Sequence, residues 1–202
     1  MDSSELQILI DIFVIEYSIT MQIPEGLILQ ETYSSKSIHN IMESKEIIIK
    51  TLTELSDKLQ DIKSDWYIIG ASAIIMSDIK IGKTSDIDID ILTTKEGADE
   101  WRIALQEYME LNPVTKEDDL FRSKFSRFKL PLIDIEVMGG LQVNKSGKWK
   151  DVLISDFQQI PVGDTFVKIP TLNELERILL LFGRDKDLKR LTLIETHQQQ
   201  YS

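Results

Sequence analysis

Hydrophobic positions change their period along the chain, and each change predicts a different element. Residues 37–62 carry isoleucine, leucine and methionine at spacings of three and four with charged residues between them, which predicts an amphipathic helix. Residues 6–23 have helical spacing too, although their β-branched residues leave a strand open. Residues 66–70 are a short apolar run ending in glycine, which predicts a buried strand, and a helix is expected over 71–78.

Strict alternation over residues 86–92 (DIDIDIL) predicts the clearest strand, with three aspartates on one face and isoleucines on the other. The patterns downstream predict a helix over 95–111, strands over 120–130 and 132–138, a tight turn at Gly139-Gly140 into a strand over 141–144, and short strand pieces over 149–169.

The C-terminal pattern is helical again. Thr171 and Glu174 have the spacing of a capping box at the start of a helix that reaches Gly183 and resumes at Asp185. The polar tail, residues 196–202, is expected to fray. The element order predicts an α+β, or mixed α/β, fold with a central mixed sheet flanked by helices. We divide the chain into an N-terminal helical segment, 1–62, and a domain over 63–202, and we expect the two to form one compact unit.

The composition of the chain excludes several kinds of functional site. The 202 residues include 34 acidic and 23 basic side chains, a net charge of −11, which disfavours a surface that attracts nucleic acid as a whole. The absence of cysteine excludes a thiol nucleophile and a Cys-ligated zinc, and His39 and His197 are far apart in the sequence. A metal would therefore be a hard cation held by oxygen. Asp11 and Glu16 interrupt the first apolar run, so we expect no secretory signal, no membrane span and a cytoplasmic location.

Acidic side chains on two predicted strands are the candidates for that metal. Asp86, Asp88 and Asp90 share one strand face, and Asp134 and Glu136 share a face of a later strand. If the two strands lie close together, three carboxylates can converge on one or two Mg²⁺ or Mn²⁺ ions, as phosphoryl or nucleotidyl transfer requires. One carboxylate could also act as a general base.

Small residues stand at the predicted strand-to-helix junction before these aspartates. At Gly70, Ala71 and Ser72, backbone N–H groups could cradle a triphosphate, and the Ser72 hydroxyl could donate to a phosphate.

The stretch 66–92 (WYIIGASAIIMSDIKIGKTSDIDIDIL) resembles the signature of the nucleotidyltransferase superfamily that includes DNA polymerase β. It is most similar to minimal and abortive-infection toxin nucleotidyltransferases, over roughly residues 64–194. The resemblance implies that Asp86 and Asp88 are the metal-binding pair and Asp134 the third carboxylate, with Asp90 and Glu136 as alternates. It also places Lys83, Arg184 and Lys186 near a nucleotide.

The predicted activity is Mg²⁺- or Mn²⁺-dependent transfer of a nucleoside monophosphate from a nucleoside triphosphate, such as ATP, to a hydroxyl, with release of pyrophosphate. A protein or small-molecule acceptor is favoured over RNA because the chain is acidic. The alternative is a non-catalytic nucleotide-binding or toxin–antitoxin-type module on the same fold. The isoleucine-rich faces within 1–62 are the candidate contact surface for a second copy or a partner protein.

Overall fold

A mixed sheet with helices on both faces forms the centre of the fold in the computed structural model, which describes residues 35–81, 87–111 and 119–200. Side chains are described from residue 44 onward. Residues 35–200 belong to a single compact unit. The predictions for residues 6–23, and those for Lys83 and Asp86, lie outside the described residues.

The helices are α1 (Ser35–Glu54), α2 (Ser56–Leu59), α3 (Gly70–Met76), α4 (Lys95–Ala104), α5 (Leu172–Phe182) and α6 (Asp185–Gln200), with a 3-10 turn at Gln106–Tyr108. The strands are β1 (Trp66–Ile69), β2 (Ile89–Thr93), β3 (Phe121–Phe128), β4 (Ile135–Lys145), β5 (Lys148–Asp151), β6 (Phe157–Val162) and β7 (Thr165–Pro170).

Strand pairing makes the sheet mixed. Its order is β1-β2-β4-β3, with β5 paired to the far end of β4. Strands β2 and β4 are parallel, and the other neighbours are antiparallel. Strands β6 and β7 form a separate antiparallel hairpin. The predicted central mixed sheet flanked by helices is confirmed.

The alternation of β2 sets which face of the sheet is buried beneath which helices. Ile89 and Ile91 are fully buried in a core shared with α1, α3 and α4. On the opposite face, Leu92 belongs to a second core that includes Ile178 and Phe182 of α5. A one-residue slip of β2 would push aspartates into the first core, so burial of the isoleucines, each worth roughly 1.5–3 kcal/mol, fixes the register.

The predicted tight turn at Gly139-Gly140 is wrong, because β4 continues through both residues. An added Cβ at Gly139 would lie 2.5 Å from the Ala98 Cβ of α4, and one at Gly140 would lie 2.9 Å from the Lys95 Cγ. Gly140 has a φ of +60°, and the β3–β4 register shifts opposite this position. The glycines therefore allow close packing of α4 and a local irregularity within one strand.

Three helix predictions also need correction. The single helix predicted over 37–62 is divided into α1 and α2, and the one over 95–111 ends as α4 at Ala104 with a 3-10 turn after it. The residues predicted to fray remain helical to Gln200. Within the described ranges, no helix has both the length and the apolar character needed to cross a bilayer.

The predicted capping box is also absent. Thr171 does occupy the N-cap position of α5, but its hydroxyl donates to Asp156 at 2.8 Å. The Glu174 carboxylate instead accepts hydrogen bonds from the backbone and hydroxyl of Ser155, at 2.7 and 3.0 Å, and from Arg177. Local spacing suggested a bond between Thr171 and Glu174, whereas Thr171 bonds to Asp156 and Glu174 bonds to Ser155 and Arg177.

Candidate active site

The acidic residues of two parallel strands lie side by side at one end of the sheet. Asp90 of β2 is in register with Glu136 of β4, and the backbone N–H of Ile89 donates to the Asp134 carbonyl at 2.9 Å. Neighbouring residues in register point to the same face of a sheet, and so do residues two apart on a strand. The strands predicted from the sequence to carry the acidic residues are therefore adjacent.

Asp88, Asp90 and Glu136 line a cavity of about 240 Å³ between this face and the C-terminal helices. The cavity has three kinds of wall. Carboxylates form one part, cationic side chains of α6 and the turn before it form another, and apolar side chains form the rest. The cationic residues are Arg184, Lys186 and Arg190, and the apolar ones include Phe121, Phe125, Met138, Leu141, Ile178 and Phe182.

Gly70 allows a carboxylate to lie directly against the backbone. Its φ of +68° is in the left-handed region, and an added Cβ would lie 2.4 Å from Oδ2 of Asp90. Gly70 and Ala71 both line the cavity, where the sequence placed them in contact with phosphates. The space beside Gly70 is taken by the Asp90 side chain.

Ser72 has a structural contact in place of the predicted phosphate contact. The residue is fully buried, and its hydroxyl donates to the backbone carbonyl of Asp88 at 2.6 Å. It thereby fixes the chain just before β2, which positions the Asp88 side chain at the cavity.

Arg127 of β3 joins two of the acidic residues. Its guanidinium forms an ion pair with Glu136, the residue opposite it on β4, and its Nη2 lies 3.8 Å from Oδ2 of Asp88. The hydrogen bond to Glu136 raises the pKa of Arg127 above its ordinary value, and the charges of Glu136, Asp88 and Asp134 add to this effect. The Glu136 side chain is only 5% exposed, so its buried charge is paired with the half-buried cation of Arg127.

Asp134 lies at the margin of the acidic cluster formed by Asp88, Asp90 and Glu136, and it forms an ion pair with Lys129. The hydrogen bond between them raises the pKa of Lys129. Glu136 lines the cavity among the described residues, whereas Asp134 is not part of that lining. The structure thus places the alternates Asp90 and Glu136, together with Asp88, at the cavity wall.

The Arg184 side chain, in the cationic wall, is held in place by a buried carboxylate. Arg184 donates through Nε and Nη2 to Asp187, at 2.6 and 2.9 Å, and Asp187 is fully buried. The guanidinium also lies 4.8 Å from the ring centre of Phe121 and 5.4 Å from that of Phe182. A bidentate ion pair with aromatic packing fixes the side chain in position.

Lys186 lies in the same wall. The residue as a whole is exposed, while partial burial of its ammonium group lowers its pKa, and the nearby charges of Arg184 and Arg190 strengthen this effect. Asp90 and Asp187 act in the opposite direction. The cationic and acidic walls of the cavity therefore influence each other electrostatically.

Sequence reasoning missed several residues of the cavity. Arg190 follows Lys186 by four positions, which is the helical spacing that could have indicated it. The aromatic wall of Phe121, Phe125 and Phe182 combines β3 with α5, and no local pattern links two such distant segments.

The chemistry of the donors is suitable for a hard divalent cation, since Asp88 and Asp90 offer carboxylate oxygens at the cavity wall. Across the ranges that the structure describes, no three histidine or acidic side chains are grouped as a complete metal site.

No protein-family model and no curated protein matches the sequence. Among solved structures, a protein from Thermotoga maritima that has been assigned as a nucleotidyltransferase is similar, with a TM-score of 0.59 and 20% identity over 72% of this chain and 90% of that one. The chain therefore has the nucleotidyltransferase fold, and the predicted fold is confirmed.

Two further structures are similar at lower scores. The antibiotic-resistance factor ANT(2'')-Ia has a TM-score of 0.48 and 9% identity over 78% of this chain and 86% of that one. An antigenic nucleotidyltransferase-like protein from Paracoccidioides brasiliensis has a TM-score of 0.46 and 14% identity over 74% and 75%.

Proposed function

We propose that the chain is a metal-dependent nucleotidyltransferase that moves a nucleoside monophosphate from a nucleoside triphosphate to a hydroxyl acceptor. The observation that carries this proposal is the composition of one cavity, which combines carboxylates, cations and an aromatic wall. A nucleoside triphosphate has matching parts, because its phosphates bind metal ions and cations while its base stacks on aromatic side chains.

Each wall has a distinct task in this proposal. Arg184 and Lys186 offset the negative charge of the phosphates, and the bidentate contact with Asp187 keeps Arg184 oriented for that purpose. The rings of Phe121 and Phe125 provide a surface for the base.

Asp88 and Asp90 would hold a Mg²⁺ or Mn²⁺ ion, which when bound neutralises phosphate charge and polarises the phosphoryl group. In the transfer, the acceptor oxygen forms a bond to the α-phosphorus, and the bond from that phosphorus to the bridging oxygen of the β-phosphate breaks. Pyrophosphate leaves with the bonding electron pair, and a carboxylate of the cluster accepts the hydroxyl proton. Asp134, at the margin of the cluster, is our candidate for this base.

The acceptor is proposed to be a protein or a small molecule. The net charge of −11 repels the backbone of a long RNA, whereas a small hydroxyl compound or a protein side chain carries no such charge density. We also propose that the protein is located in the cytoplasm.

Labelled transfer tests the activity. The protein is incubated with each α-labelled nucleoside triphosphate, Mg²⁺ and cell lysate, and labelled acceptors are separated by size. We expect label on an acceptor with the unchanged protein and its loss with Asp88→Asn and Asp90→Asn. Asp164→Asn, at an exposed position between β6 and β7, is the matched control and should retain transfer. Equal labelling by all four proteins would contradict the proposal.

A non-catalytic nucleotide-binding protein is the second candidate. The observation that favours it is the Arg127–Glu136 ion pair, which commits one carboxylate of the cluster to a cation of the protein. Saturable nucleotide binding without release of pyrophosphate or labelling of any acceptor would favour this candidate over the enzyme.

A further inference from the structure

The acidic cluster contains a cation of its own. Glu136 is 5% exposed at its side chain and is ion-paired with Arg127, whose Nη2 also lies 3.8 Å from Oδ2 of Asp88. The guanidinium thus lies between the Glu136 carboxylate of β4 and the carboxylate of Asp88, which directly precedes β2. Both carboxylates line the cavity that we propose as the nucleotide site.

The buried charge of Glu136 limits which cations can lie beside it. A carboxylate as buried as Glu136 needs a positive partner, because removal of that partner leaves an uncompensated buried charge that destabilises the native state. A guanidinium stays protonated at every pH at which proteins are stable, so it cannot be neutralised to make room for another cation. A divalent ion at Glu136 would have to displace this guanidinium.

We propose that Arg127 replaces one of the two divalent ions that such a carboxylate cluster could hold, so that the site takes a single ion at Asp88 and Asp90. This inference rests on the proposed function for the location of the site. It concerns the number of ions, however, which can be measured whether or not nucleotide is transferred. Arg127 is a positioning residue here, since it acts through Glu136 and Asp88.

The neighbouring ion pair provides a matched control. Lys129, directly after β3, binds Asp134, directly before β4, but the Lys129 side chain is 53% exposed, against 30% for Arg127. Exposed ion pairs contribute little to stability. Removal of Lys129 should therefore leave both the metal count and the fold unchanged.

The test is a titration of the full chain with Mn²⁺ alone, in which the free ion is counted by electron paramagnetic resonance. We expect one bound ion per chain for the unchanged protein and for Lys129→Gln. For Arg127→Gln we expect a second bound ion, with an affinity at least about tenfold higher than that of any second ion on the unchanged protein. Two ions bound with comparable affinity to the unchanged protein would overturn the proposal, as would identical titrations for Arg127→Gln and the unchanged protein.

The Arg127→Gln variant is expected to be less stable without metal, because Glu136 loses this guanidinium. Thermal unfolding with and without Mn²⁺ makes that expectation informative. Mn²⁺ should raise the melting temperature of Arg127→Gln more than that of the unchanged protein, since an ion that binds only the native state stabilises it. An Arg127→Gln protein that Mn²⁺ fails to stabilise or refold would contradict the proposal.

Discussion

Replacing Gly70 with alanine tests the close contact at the acidic end of the cavity. The backbone at Gly70 has a φ of +68°, and a Cβ there would lie 2.4 Å from Oδ2 and 3.2 Å from Cγ of Asp90. The substitution therefore introduces two separate costs. One is left-handed backbone strain, and the other is displacement of a carboxylate that lines the cavity.

The two costs can be separated with a second glycine. Left-handed backbone costs a non-glycine residue roughly 1–2 kcal/mol. Gly147, with a φ of +78° and nothing within 4 Å of an added Cβ, should lose only this amount on replacement by alanine. Gly70→Ala should lose about 1 kcal/mol more, since an off-rotamer side chain costs about that much and Asp90 must rotate away. For a chain of this size, 1 kcal/mol shifts the melting temperature by roughly 2–4 °C.

The assay combines urea unfolding with Mn²⁺ titration of Gly70→Ala, Gly147→Ala and the unchanged protein. We expect weaker Mn²⁺ binding only in Gly70→Ala. In an Asp90→Ala background the additional stability cost of Gly70→Ala should disappear, because the clashing carboxylate is gone. Equal stability losses for the two glycine variants, together with unchanged Mn²⁺ binding, would refute the reasoning.

Three further expectations concern other parts of the structure. Gly139→Ala should reduce the free energy of unfolding in urea by about 1–3 kcal/mol, because the new Cβ would lie 2.5 Å from a Cβ of α4; an unchanged midpoint would contradict this. The hydrogen bond from Arg177 lowers the pKa of Glu174 from 4.5 to about 2, so its stabilisation, at most roughly 3 kcal/mol, is complete above pH 4.5 and is lost as pH falls towards 2. Glu174→Gln should be less stable at neutral pH and lose less on acidification, and parallel pH profiles of the two proteins would argue against this. Lys186→Gln should weaken nucleotide binding about tenfold, as expected for loss of a charged hydrogen bond, whereas Lys189→Gln should leave the affinity unchanged. Titration calorimetry measures the two affinities, and equal values would exclude Lys186 from the site.

Local sequence patterns predicted the elements in which one face is buried in the core. The alternation around Ile89 and Ile91 places these residues in the core and Asp88 and Asp90 on the other face, as a period of two requires. The parallel neighbour of β2 begins directly after Asp134 and contains Glu136, so the juxtaposition of Asp90 and Glu136 was foreseeable once the strands were adjacent.

Tertiary contacts decided the points that sequence patterns could not. A glycine pair has the same local signature in a turn as in a strand packed tightly by a helix, so the role of Gly139 depended on the position of α4. The contact of Arg127 with Glu136 depends on the register between β3 and β4, which a single sequence does not encode in any local spacing. The Ser72 hydroxyl likewise bonds to the carbonyl of Asp88, sixteen residues further along the chain and directly before β2.

The central claim is that one cavity binds the nucleotide between its acidic and cationic walls. Titration calorimetry with a non-hydrolysable nucleoside triphosphate, in the presence and absence of Mg²⁺, tests it most directly. We predict saturable, Mg²⁺-dependent binding to one site per chain. Asp88→Asn and Arg184→Gln should each weaken this binding at least about tenfold, and Asp164→Asn should leave it unchanged. Absence of binding, or binding that neither Mg²⁺ nor the two cavity variants affect, would contradict the account.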